Sequence, residues 1–220
     1  SYLHNLTILF VGFFYFIFFF KKYLGLLKKY SKFFILILII LIVALLSHKT
    51  HDDFPYYHFP YTLYLTQENL IIGTGNLNHG FRTPSALFYL NSLFYLPAIK
   101  FYSFHIGALL IFGISNLILI FKLKNDYDFK KYDFVFILTL LAFLFINTFF
   151  YRLSEHGTDR SAQILIFILF IEILSLVRSN IIDDKFISKI FILLGIIISL
   201  KAFYVLYLIL LIPILYFIPK

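Results

Sequence analysis

Long apolar runs recur down the chain, about 15 to 20 residues at a time, and most of the charged side chains lie in the segments between them. A bilayer core about 30 Å thick is crossed by roughly 20 helical residues, and the hydrocarbon leaves backbone N–H and C=O groups nothing outside the chain to bond with. Runs of this kind read as transmembrane helices, over residues 2–20, 33–47, 101–121, 134–151 and 161–177. The last run, 186–218, is too long for one untilted span and is interrupted by Lys201, so it reads as a hairpin of two short helices turning near that lysine. The expected fold is all-α: one polytopic bundle of seven spans, or six if the last run stays single. Composition agrees, because 61% hydrophobic against 14% charged residues excludes an ordinary soluble domain.

With no cysteine, disulfides, thiolate metal sites and a cysteine nucleophile are excluded. The net charge of +8 would suggest nucleic acid in a soluble chain. Here the bases flank apolar runs, where they set topology, so the expected partner is the bilayer and not nucleic acid. Residues 21–32 hold Lys21, Lys22, Lys28, Lys29 and Lys32 with no acid, and are expected as a cytoplasmic loop. Segments 122–133 and 178–189, with seven further bases, follow on that side by alternation. Residues 48–99 and 152–160 are then exoplasmic. The first run ends in Phe without a small-residue cleavage site and reads as a retained helix. Since the chain opens at Ser1 and stops at Lys220 directly behind an apolar run, it is expected to belong to a longer protein.

Residues 48–99 are too long for a passive turn and rich in Asp, His, Tyr, Asn and Arg, so function is sought there. Two short surface helices are expected. One is capped by Asp53 or Phe54, with Pro55 in its first turn and an interface-seeking face of Tyr56, Tyr57, Tyr61 and Tyr64; the other starts at Thr83–Pro84 and stops at Pro97. Asp52 and Asp53 form a carboxylate pair at the membrane exit, suited to general-base work, to a divalent cation such as Mg²⁺ or Mn²⁺, or simply to capping. The neighbouring His51, Tyr57 and His58 bring chemistry level with capping as the expected role. His48, His51, His58 and His79 do not have zinc spacing, and Gly73, Gly75 and Gly80 read as turn residues. Asn76, His79 and Arg82 form a second polar cluster, whose guanidinium suits phosphate or a lipid headgroup. Lys201 within ISLKAFYVLYLILL must snorkel, pair or line a polar cavity. Asp159 stands where a helix N-terminus would favour a carboxylate.

The pattern Asp53-x-x-x-Tyr57-His58, with Gly73 to Asn76 and the stretch NHGFRTPSALFYLNSLFYLP, resembles a group of bacterial multi-spanning proteins related to the GT-C superfamily of polyprenyl-phosphate-sugar-dependent glycosyltransferases. The similarity is good over about residues 50–100 and loose around Asp159 and Lys201. It implies an inverting transfer of sugar from a polyprenyl-phosphate donor to an envelope glycan or lipid acceptor, outside a bacterial inner membrane. Asp53, with Asp52 and His58, would be catalytic. Arg82 and Lys201 would hold the lipid phosphate, with Tyr57, Asn76, His79 and Asp159 as further substrate contacts. Two features depart from the superfamily: two spans, not one, precede Asp53, and no soluble carboxy-terminal domain follows. A glycan polymerase or ligase, a transporter and a structural membrane subunit are the competing expectations.

Overall fold

The computed structural model describes residues 2–47, 52–68, 72–96, 98–150, 157–179, 184–212 and 214. Regular structure among them is helical throughout, apart from an isolated bridge between Leu96 and Lys100. The fold is therefore all-helical. His48, His51 and Pro97 lie outside the described residues, and the helix expected to run to Pro97 ends earlier, at Ser92.

The first helix, α1 (Tyr2–Lys29), runs through the basic segment that was expected as a loop, and only Tyr30 separates it from α2 (Ser31–Leu46). Leucine and lysine are good helix formers, and Lys28 and Lys29 sit in the last turn, where the helix dipole favours cations. The Lys29 ammonium also lies 5.3 Å from the centre of the Tyr30 ring.

A π-helical turn, Phe54–His58, leads into α3 (Phe59–Gln67), and after two 3₁₀ turns the chain forms α4 (Ala86–Ser92). Long helices follow: α5 (Ile106–Asp128), α6 (Phe134–Phe149), α7 (Thr158–Ser179) and α8 (Asp184–Leu200). At Lys201 the backbone turns extended, φ −156° and ψ 118°, and a 3₁₀ helix, Ala202–Leu211, completes the order. The last apolar run is thus broken at the expected lysine. Among the described residues three helical stretches are long and apolar enough to cross a membrane: Leu3–Phe20, Phe101–Asp128 and Thr158–Ser179. Ser31–Leu46, Phe134–Phe149 and Ala202–Leu211 are apolar but shorter.

The residues fall into two units, one spanning 2–82 and 87–110, the other 83–86, 111–150 and 157–214. In the first, α1 lies against α2, and Asn5 Nδ2 donates to the Ser92 carbonyl at 3.0 Å, tying α1 to the end of α4. Aromatic rings fill its interior, with Phe88 and Phe104 fully buried.

In the second unit α7 is the centre. It packs against α6, α8 and Ala202–Leu211, and buries a broad face including Ile164, Ile168, Ile171 and Leu176. Asn147 of α6 donates to Asn116 of α5 at 2.7 Å, a polar tie between apolar helices. Helix α5 continues past the expected end at 121 because its charged last turns are paired. Lys122 faces Glu172 of α7, Lys124 pairs with Asp128 one turn on, and Asp126 binds Arg178. Asp133 caps α6 by accepting from the Phe136 amide at 3.1 Å.

Candidate functional site

In the first unit the candidate site is built on a proline-shaped turn. Pro60 has no amide proton to offer the Tyr56 carbonyl, which a regular helix would require. Asn78 Nδ2 supplies the bond instead at 2.9 Å, while Asn78 Oδ1 accepts from the Gly80 amide at 2.8 Å. One carboxamide thus fastens the 3₁₀ turn His79–Arg82 onto the π turn Phe54–His58. Gly80 permits the contact: a Cβ there would strike the Tyr57 ring. The second 3₁₀ turn, Thr74–Asn76, packs on the first, entered through Gly73 at φ 92°, where a side chain would be strained. Arg82 Nε donates to the Gly75 carbonyl at 3.2 Å.

This arrangement gathers Asp53, Tyr57 and His58 with the segment that carries Asn76, His79 and Arg82. The Tyr57 hydroxyl approaches Asp53 Oδ2 at 3.5 Å, a long contact. Tyr57 and His58 meet edge to face at 4.3 Å, and His58 is buried against Phe88. Asp53 is half-buried; Asp52, Asn76, His79 and Arg82 are exposed. Asp53 stands at the N-cap position of the π turn as expected, but in helical conformation and without a side-chain capping hydrogen bond, with Pro55 in the first turn. Behind the site, the Tyr61 hydroxyl lies 3.3 Å from that of Tyr89. Burial, then that hydrogen bond, pushes the Tyr61 phenol well above its ordinary pKa and keeps it neutral.

A cavity of about 670 Å³ opens beside these turns, lined in part by Tyr64, Gln67, Glu68, Thr74 and Leu77. Glu68 is the carboxylate on its wall; Asp53 and Arg82 do not line it. The sequence reading passed over Asn78, Gln67 and Glu68. The bare Tyr56 carbonyl before Pro60 was a legible signal, but its partner was not. Among the described residues no three His, Cys, Asp or Glu side chains converge as a metal site, so a cation at Asp52 or Asp53 would need other donors.

In the second unit Lys201 and Asp159 meet. The ammonium donates to Asp159 Oδ2 at 2.6 Å and lies 2.5 Å from Oδ1, beside the largely buried Tyr204. The lysine at the helix break is therefore paired, one of the three outcomes open to it. A second charged group was missed. Arg178 forks onto Asp126 (3.1 and 3.2 Å) and reaches both Asp133 oxygens (3.1 and 3.2 Å), while Glu172 lies between Lys189 at 2.9 Å and Lys122 at 3.7 Å. Bases first read as topology determinants are thus also interhelical ties. Burial raises the Asp133 carboxyl, but the Phe136 amide and then the Arg178 guanidinium outweigh it and hold the group below the usual carboxylate range.

The family model described as Domain of unknown function (DUF8201) matches residues 1–220, and the chain belongs to that family. No curated protein and no solved structure matches it.

Proposed function

For this member of the DUF8201 family, we propose a membrane glycosyltransferase of GT-C-like architecture, with six or seven spans in a bacterial inner membrane. It moves a sugar from a polyprenyl-phosphate donor to an envelope glycan or lipid acceptor on the exoplasmic face. Asp53 takes the proton of the acceptor hydroxyl as its oxygen attacks the anomeric carbon from the side opposite the phosphate. The bond from that carbon to the phosphate oxygen breaks, and polyprenyl phosphate leaves with its charge on Arg82. Tyr57 and His58 position Asp53; Asn76 and His79 flank the phosphate. Asp52 is a spare carboxylate. Lys201, already neutralised by Asp159, contributes less to the phosphate than the sequence suggested.

One observation supports this reading most. A half-buried carboxylate lies within 3.5 Å of the Tyr57 hydroxyl, in the same folded segment as an exposed guanidinium that, among the described residues, is engaged through Nε. Right-side-out vesicles carrying the full-length protein, given a panel of radiolabelled polyprenyl-phosphate hexoses, should release polyprenyl phosphate. Asp53→Asn should slow this by about 10²-fold or more, the usual worth of a general base. Asp52→Asn should cost less than about tenfold, and Arg82→Gln should raise KM. Consumption of no donor, or small and equal losses at both aspartates, would end the proposal.

A second reading has its own observation. A helix broken at a lysine that pairs with a carboxylate is an arrangement found in transporters. It is favoured if Lys201→Gln abolishes solute uptake while Asp53→Asn leaves uptake unchanged.

A further inference from the structure

Within the second unit, α5, α7 and α8 leave an open trough of about 700 Å³. Its walls are aliphatic, with Ile114 and Ile118 from α5, Leu165 from α7, and Ile192 and Ile196 from α8. Ile114 and Ile192 are 55% and 64% exposed, so large apolar surfaces face outward along it. The trough is polar at one end only, where the first turns of α8 bring Asp184, Lys185, Ser188 and Lys189 to its mouth. Lys189 is engaged by Glu172 at 2.9 Å. Asp184 and Lys185 are exposed and have no ion-pair partner among the described residues. Being adjacent on a helix, they do not face each other. Among the described residues the mouth therefore offers one carboxylate and one ammonium, neighbours in sequence, that no ion pair engages.

We propose that this trough seats a phospholipid with a zwitterionic primary-amine headgroup, a phosphatidylethanolamine. An acyl chain lies along the isoleucines, Lys185 meets the phosphate, and the Asp184 carboxylate accepts from the headgroup ammonium. The mixed sign of the mouth selects this occupant. A purely anionic lipid would meet Asp184 as a repulsive neighbour, a quaternary ammonium has no N–H to donate, and a free phosphate would leave the apolar trough unfilled. The site is independent of the sugar-transfer reading and requires only that these helices lie in a bilayer.

The chain has no tryptophan, so a single introduced indole reports on its own surroundings. Ile114→Trp would place it in the trough. Ile137→Trp, on the exposed face of α6 and outside the trough, would report the general lipid shell. The full chain is reconstituted in phosphatidylcholine, and quenching is measured as brominated phosphatidylethanolamine, phosphatidylcholine or phosphatidylglycerol is added. At Ile114→Trp the ethanolamine lipid should bind about fivefold better than either alternative, roughly the worth of one charge near a membrane surface. Ile137→Trp should show no preference. Adding Asp184→Asn should remove the preference, and Asp184→Lys should turn it toward phosphatidylglycerol. Equal quenching by all three lipids, preference for phosphatidylglycerol in the parent, the same preference at Ile137→Trp, or persistence in Asp184→Asn would each overturn the proposal.

Discussion

Asn78 does more for the candidate site than its exposed neighbours, because its two amide ends hold two turns together. It donates to the carbonyl that Pro60 leaves bare and accepts from the Gly80 amide. Asn78→Ala removes both bonds without adding bulk, and hydrogen bonds of this kind are worth about 0.5–1.5 kcal/mol each. The expected outcome is a loss of roughly 1–3 kcal/mol, with faster proteolysis confined to the segment 72–82. Gly80→Ala should act in the same place by the opposite means, since its methyl would push Tyr57 away. Uniform destabilisation of the whole chain by either variant would contradict this local role.

The helix ends carry the interhelical charge chemistry. Lys201 and Asp159 join the break after α8 to the first turn of α7, both partly exposed, at 36% and 45%. Either single change, Lys201→Leu or Asp159→Leu, leaves one charge without its partner, whereas the double change leaves none. Unfolding in detergent should therefore show a coupling of about 0.5–3 kcal/mol, with the double variant less damaged than the sum of the singles. Additivity would mean the pair contributes nothing. Asp133 makes a pH prediction. Its folded-state pKa is depressed, so its contribution is present above the unfolded carboxylate range and is lost as pH falls through the folded value. Wild type should melt above Asp133→Asn at neutral pH, and the gap should close under acid. A gap that widened in acid would reverse the assignment.

For the whole molecule the testable quantity is topology. The basic end of α1 is proposed to face the cytoplasm and residues 48–99 the exterior, on five lysines against no acid in 21–32. The chain lacks cysteine, so single cysteines can be introduced cleanly. Gly25→Cys meets nothing within 4 Å, and Asn76 is exposed; Gly75 is unsuitable because a side chain there would meet Arg82. A membrane-impermeant thiol reagent should label Asn76→Cys in intact cells and spare Gly25→Cys. The reverse pattern would remove the exoplasmic assignment of Asp53 and Arg82 together.

Helical class, the apolar helices and the break at Lys201 were legible in the chain itself. They follow from local rules: an apolar run leaves its backbone no partner but itself, and a charge within it must be accommodated where it stands. The segment rich in Asp, His and Arg was legible as the place to look for chemistry, and its turns fell near their prolines and glycines. Which groups meet was decided only by tertiary packing. Lys201 chose Asp159 over a cavity, 42 residues away in sequence. Arg178 turned two aspartates of an expected loop into a tie between α5, α7 and the cap of α6, and Asn78 found a carbonyl 22 residues behind it. Long-range partners of this kind depend on how helices approach one another. Hydrophobic period and turn chemistry record which face is apolar and where the chain bends, but not which polar group waits on the other side.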